Sequence, residues 1–127
     1  MNDDELNQLT EKIIGSAFKV LNTLVVGFLE HVYENALVHE LNQLGILAEP
    51  QQSVEVYYDG IVVGEFFPDI LVNKTVIIEV KATKNHDEAF TAQCLNYLKA
   101  TDKPICLLLN FGKPKLDIKR YRGQCPS

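Results

Sequence analysis

Two carboxylates and a lysine occupy positions in this chain where they could do chemistry together. Pro68-Asp69 lies near the end of one expected strand, and Glu79-Val80-Lys81 ends the next. Side chains two residues apart on a strand share a face, so Glu79 and Lys81 project together. Whether Asp69 joins them depends on the hairpin between the two strands. A two-residue loop at Asn73-Lys74 would set Asp69 opposite Ile78, on the wrong face. A three-residue loop, Asn73 to Thr75, pairs Asp69 with Glu79 directly, with Cβ atoms about 4.5–5.5 Å apart. Thr75 is β-branched and ill suited to the left-handed position such loops use, so a bulge elsewhere is the other route to that register.

Directly opposed carboxylates repel each other and weaken a sheet unless a cation sits between them. Hard oxygen ligands with room for water suit Mg²⁺ or Mn²⁺. Such an ion polarises a phosphodiester and lowers the pKa of a bound water. Lys81 would then orient that water or steady the charge of the transition state, and the backbone carbonyl of Val80 is a further candidate ligand. By itself, P-D-x₉-E-x-K is a weak pattern, and its plain alternative is a solvated Asp beside an exposed Glu/Lys pair. Against that alternative, Val76-Ile77-Ile78 precedes Glu79 and Val80 follows it, a run that reads as buried. Buried charges need partners.

The elements that must position these residues are legible in the periodicity. Leu6, Leu9, Ile13, Ala17, Leu21 and Leu24 recur at helical spacing, predicting a helix over about 3–24. After Gly27 a second helical pattern runs from Leu29 to Leu44, with Gly45 placed as a C-terminal glycine. From residue 53 the period becomes two, predicting a strand to Tyr58, a turn at Asp59-Gly60, and a second strand from Ile61 to about Val72. A strand over about 76–81, a helix over about 87–101, a buried strand at Ile105 to Asn110 and an edge strand from Lys115 to Tyr121 follow. The order predicts one continuous α/β (α+β) domain over 1–127, built around one mixed sheet.

The helices offer further members. Glu30, Tyr33 and Glu34 stand at i, i+3 and i+4 on the second helix, where the plain reading is a core tyrosine and two solvated glutamates. Gln93 and Tyr97 are one turn apart on the third helix, with a polar flank and a half-buried aromatic as the plain reading. His86 reads as a loop residue. His31, His39 and His86 match no metal-binding spacing.

Composition narrows the class. Apolar residues make up 46% of the 127, enough for one real core. No apolar run approaches the roughly 20 residues a bilayer requires, and the acidic start Asn2-Asp3-Asp4-Glu5 lacks the basic region of a secretory signal, so a cytoplasmic location away from membranes is expected. Cys94, Cys106 and Cys125 cannot all pair, and reduced thiols are expected rather than a disulfide or zinc site. The net charge of −5 argues against coating nucleic acid by charge alone. The charge is uneven, however: residues 1–60 carry ten acids against two lysines, and residues 61–127 carry ten bases against seven acids. Lys113, Lys115, Lys119, Arg120 and Arg122, opposed only by Asp117, form a basic stretch that either meets phosphates or is a solvated strand.

These residues resemble a known family. Gly27-Phe28-Leu29-Glu30-His31-Val32-Tyr33 reads as the G-x-x-E-x-x-Y signature of small prokaryotic proteins assigned to the PD-(D/E)XK nuclease superfamily. The likeness continues through Val56 to Gly60, Asp69 to Val72, Val76 to Lys81, Ala92 to Thr101, Leu107 to Gly112 and Lys119-Arg120, nearly the whole chain. It implies a restriction-endonuclease-like core, a central mixed β-sheet flanked by helices. It also implies roles: Glu30 as the helix-borne acid completing a metal site, Asp69 and Glu79 as ligands, and Lys81 as the catalytic lysine. Gln93 and Tyr97 resemble a Q-x-x-x-Y motif that contacts the site or substrate, and Tyr33 matches the signature without an assigned role. Two positions depart from the family's pattern. It commonly has Gly-Pro-Gly where this chain has Val25-Val26-Gly27, which bears on how Glu30 is placed, and many relatives carry Arg or another residue at Pro68.

The resulting expectation is a Mg²⁺-dependent (or Mn²⁺-dependent) nuclease acting on nucleic acid, with DNA the expected form. The competing reading is a non-catalytic nucleic-acid- or protein-binding module that keeps the fold. A homo-oligomer, or a subunit whose partner recognises substrate, is a third. A nuclease should gather Glu30, Asp69, Glu79 and Lys81 around one pocket with Lys115, Lys119 or Arg120 nearby.

Overall fold

The first helix begins where its caps are best. The Asn2 side chain accepts a hydrogen bond from the Glu5 amide at 2.8 Å, and the Glu5 carboxylate accepts one from the Asn2 amide, a capping box that opens α1 (Asp3–Leu24). The computed structural model describes residues 1–123. In it the buried stripe of α1, Leu6, Leu9, Ile13, Ala17, Val20 and Leu21, packs with Tyr33, Leu37 and Leu41 of α2 (Glu30–Gln43). Gly45, at φ 75°, takes the left-handed position that ends α2.

The strands that follow form two sheets rather than the single one expected. β2 (Val54–Tyr58) and β3 (Ile61–Phe66) make a separate hairpin, closed by Asp59 and Gly60 in left-handed conformations as the Asp-Gly signal predicts. The strand expected from Ile61 to Val72 is broken. Phe67-Pro68 intervenes, and a proline, with no N–H to give a ladder, lets the chain leave the hairpin. The chain then joins the main sheet as β4 (Ile70–Val72). That sheet has the order β1-β4-β5-β6-β7 and includes β1 (Ala48–Pro50), β5 (Val76–Lys81), β6 (Ile105–Asn110) and β7 (Asp117–Arg122). Sequence periodicity missed β1, because three residues ending in proline carry too little pattern. β5 and β6 are parallel, joined through α3 (Glu88–Ala100), and the remaining pairs are antiparallel. The alternation of β5 decides which layer each side chain meets. Val76, Ile78 and Val80 belong to the core under α1 and α2, whereas Ile77 belongs to the core with Cys94, Tyr97 and Leu98 of α3. Glu79 and Lys81 therefore face α3.

The link between α1 and α2 carries a local conflict. Val25 sits at φ 58° and ψ −178°, a region close to glycine-only for an L-residue and worse for a β-branched one. Tyr33 holds it there: its buried hydroxyl donates to the Val25 carbonyl at 2.5 Å and accepts from the Phe28 amide at 3.2 Å. The Tyr33 ring stacks on Phe111, with centroids 4.9 Å apart. Replacing Val25 with glycine should therefore stabilise the protein by about 1 kcal/mol, the relief of strain less the entropy cost of glycine. Equilibrium urea unfolding of Val25→Gly measures it, and a loss of stability would show that Val25 is unstrained.

Candidate active site

The register of β4 and β5 decides whether the carboxylates meet. Val72 pairs with Val76, Leu71 with Ile77 and Ile70 with Ile78, a register that, carried one residue beyond β4, brings Asp69 alongside Glu79, whose carboxyl it influences. The loop is the three-residue one, Asn73 to Thr75. Asn73 and Lys74, at φ 49° and 54°, take the left-handed positions instead of Thr75, whose amide closes the turn on the Val72 carbonyl at 2.9 Å. No bulge is required. Asp69 is held at both ends: its carbonyl accepts from the Gln51 amide at 3.1 Å, and its Oδ2 accepts from the Val80 amide at 2.8 Å.

Glu79 is 2% exposed, and its Oε1 is fully buried with no hydrogen-bond partner. Burial first, then the charge of Asp69, push its carboxyl from 4.5 up to about 9, with Lys81 opposing. Lys81 is half-buried. Its Nζ lies 3.4 Å from Gln93 Oε1 and 4.7 Å from the centroid of the Phe90 ring. Gln93 Nε2 in turn donates to the Tyr97 hydroxyl at 3.2 Å. Burial, then Glu79, push the Tyr97 hydroxyl well above its ordinary range, so it stays protonated. Asp69, Glu79, Lys81, Gln93 and Tyr97 thus form one connected group between β4, β5 and α3.

The other expected residues lie on α2. Glu30 opens that helix, is exposed, and acts electrostatically on Glu34, which in turn feels Asp69. Tyr33 is buried against the turn that leads into that helix. Glu34, which sequence reasoning assigned to a solvated edge, is half-buried, accepts from Gln51 Nε2 at 3.2 Å and feels Asp69. Burial, and then Asp69, raise its carboxyl above the ordinary value. Only the tertiary fold could reveal this, because Gln51 links residues from three elements. Asn110 is a second residue that was missed. It is buried, and its side chain accepts from the Thr83 and Gly112 amides and donates to the Thr83 carbonyl, clamping the segment after Lys81. Gly112 is obligatory in that clamp, since a Cβ there would stand 2.2 Å from the Thr83 carbonyl oxygen. An asparagine ending the apolar run before Phe-Gly was the available signal.

The basic strand is divided between the two faces of the sheet: Lys119, opposite Leu108 and through it in register with Glu79, lies on the α3 face, whereas the arginines turn to α1. Arg120 donates to Asn7 Oδ1 at 2.8 Å, Arg122 pairs with Asp3, and Lys113 lies near Asp117. The charge of β7 is thus partly turned toward the acidic start of α1. Cys94 and Cys106 are free and buried, and Cys125 lies outside the described residues. Among the described residues no helix is long and apolar enough to cross a membrane.

A profile of the PD-(D/E)XK nuclease superfamily matches residues 7–121. The chain belongs to this superfamily. Its five-stranded mixed sheet flanked by helices is consistent with the restriction-endonuclease-like fold. No curated protein and no solved structure matches the chain significantly. Nucleases of this superfamily generally use divalent metals. Among the described residues, no group of three or more His, Cys, Asp or Glu side chains converges in a way that could hold a metal ion. The donor set does fit a hard cation anchored by two carboxylates, the mode in which Mg²⁺ keeps waters and takes substrate phosphate for the rest. Oε1 of Glu79, buried and unpaired, is the atom such an ion would satisfy.

Proposed function

We propose that this superfamily member is an active nuclease of the G-x-x-E-x-x-Y branch, hydrolysing phosphodiester bonds in DNA with Mg²⁺ or Mn²⁺, in the cytoplasm. The branch rests on Gly27, Glu30 and Tyr33. The observation that carries the activity is the Asp69/Glu79 pair, one oxygen of which has no partner, beside a lysine held on the same face. Asp69 and Glu79 would hold the ion, with the Val80 carbonyl as a third ligand and Glu30 and Glu34 adding negative charge from α2. When bound, the ion supplies polarisation of the phosphoryl oxygen and an activated water. Lys81 meets the charge that builds on the non-bridging oxygens, where a preorganised cation is most effective. Gln93 fixes the Lys81 ammonium, and Tyr97 fixes Gln93 while its own proton remains available toward Glu79.

The decisive experiment is a calorimetric titration of Mg²⁺ or Mn²⁺ into the wild type and into the Asp69→Ala, Glu79→Ala double variant. Saturable binding is expected in the wild type and lost in the variant, with cleavage of DNA following the same pattern. Absence of binding, with nucleic acid present or not, would sink the enzyme reading. A second reading then takes over, a nucleic-acid- or protein-binding module. It is favoured by the engagement of Arg120 and Arg122 with α1 rather than with a substrate groove.

A further inference from the structure

Beside Lys81, between α3 and Phe66 at the end of the hairpin, lies an open cleft of about 500 Å³. Its apolar walls include Phe66, Phe90 and Tyr97, and its polar groups are Lys81, Gln93 and Asn96. Phosphoryl chemistry at Lys81 accounts for Lys81, Gln93 and Tyr97. It has no use for Phe66, for Asn96 or for a space of this size. Phe66 and Phe90 are only partly buried, so both present ring surface to the cleft. Phe66 is braced edge-on against Tyr97, with centroids 5.4 Å apart. Asn96 lies one turn beyond Gln93 and is exposed, and its side chain makes no hydrogen bond among the described residues. Flat apolar walls, an uncommitted amide and a lysine at one side are the complement of a nucleoside whose phosphate lies at that lysine.

We infer that the cleft is a nucleobase subsite, which takes the base next to the scissile phosphate and makes the substrate single-stranded or unpaired at its end. The inference rests on the nuclease reading for the role of Lys81, and it names the substrate class of that same site. A base inside a duplex has both faces covered by its neighbours, so only an unpaired nucleotide can offer a face to Phe66 or Phe90. The Asn96 amide carries both donors and an acceptor, so it can meet the edge of any base. Recognition of this kind has little sequence preference, because every base has a stacking face.

The test uses binding in EDTA, where no cleavage occurs, followed by fluorescence anisotropy with a labelled oligothymidylate of about ten nucleotides. The comparison ligands are an abasic strand of equal length and a blunt duplex. Wild type is expected to bind the thymidylate strand about tenfold tighter than either. Phe90→Ala should abolish that preference, and Asn96→Ala, at an exposed position that folding does not depend on, should reduce it. Cation binding, measured calorimetrically, should be unchanged in both variants. Equal binding of all three ligands, no binding of any, or a preference that survives both substitutions overturns the subsite. If the wild type still binds cation in that event, the nuclease reading stands alone. If base preference is found without cation binding, the nuclease reading fails and the cleft remains as a binding site for single strands.

Discussion

Lys81→Met is expected to lower DNA cleavage by about 10²–10³-fold while leaving the fold and cation binding in place. Methionine keeps the length and apolar stem of the lysine, so the contact with Phe90 is retained in kind. What is lost is the ammonium, which Gln93 Oε1 holds near the carboxylates on the face of β5 turned toward α3. A cation positioned in advance contributes mainly to the transition state, where phosphoryl charge is greatest, so the loss should fall on kcat more than on KM. Lys81→Arg should restore little, because a planar guanidinium cannot occupy the place of a compact ammonium between a ring and an amide. Gln93→Ala should cost less, since it frees the lysine without removing it. Single-turnover cleavage at saturating Mg²⁺ measures each. A Lys81→Met protein that cuts at the wild-type rate would remove Lys81 from the chemistry.

Glu79→Gln should stabilise the metal-free protein by about 2–4 kcal/mol near pH 8 and by little near pH 5. The carboxyl is buried, opposes Asp69, and leaves Oε1 unpaired, so its charged form is the unfavourable one. Its folded value, about 9, lies above the ordinary 4.5, so the folded state holds the proton more tightly than the unfolded chain. Its stabilising contribution is therefore complete below about pH 4.5 and is lost as pH rises toward 9, by at most about 1.4 kcal/mol per pH unit. Glutamine does not titrate, so that loss disappears in the variant. Glu34, raised in the same direction but only half-buried, leaves a smaller residual slope in both proteins. Urea unfolding in EDTA across this range gives the comparison. Added Mg²⁺ should stabilise the wild type and not the variant, because only a carboxylate gains the ion. A variant less stable than wild type at every pH would mean that the Glu79 oxygens are satisfied in the metal-free protein.

Much of this site was readable before any coordinates. Period-two spacing set Glu79 and Lys81 on one face, and the three-residue loop gave the β4–β5 register that, extended one residue, brings Asp69 alongside Glu79. Where the reading failed, the signal was short or ambiguous. Val54 to Val72 looked like one hairpin of a single sheet, yet Phe67-Pro68 divides it, since an alternating pattern continues across a residue that cannot donate to a ladder. The turn at Val25-Val26-Gly27 was expected to bear on Glu30. There Tyr33 ties down a strained valine, at a position where the family resemblance pointed to glycine.

The sequence by itself determined what depends on local periodicity and on residue chemistry. It set three helices, the hairpin turn at Asp59-Gly60, the facing of Glu79 with Lys81, and membership of the nuclease superfamily. Tertiary structure alone decided what depends on distant segments meeting. It placed α3 over the acidic face so that Gln93 could hold Lys81, and brought Gln51 between Glu34 and Asp69. It also turned the arginines of β7 toward α1 and opened a cleft between Phe66 and Phe90. The reason is that a strand's alternation or a helix's stripe states which side of an element is buried. What it is buried against is set only when the sheet order and the crossovers are formed.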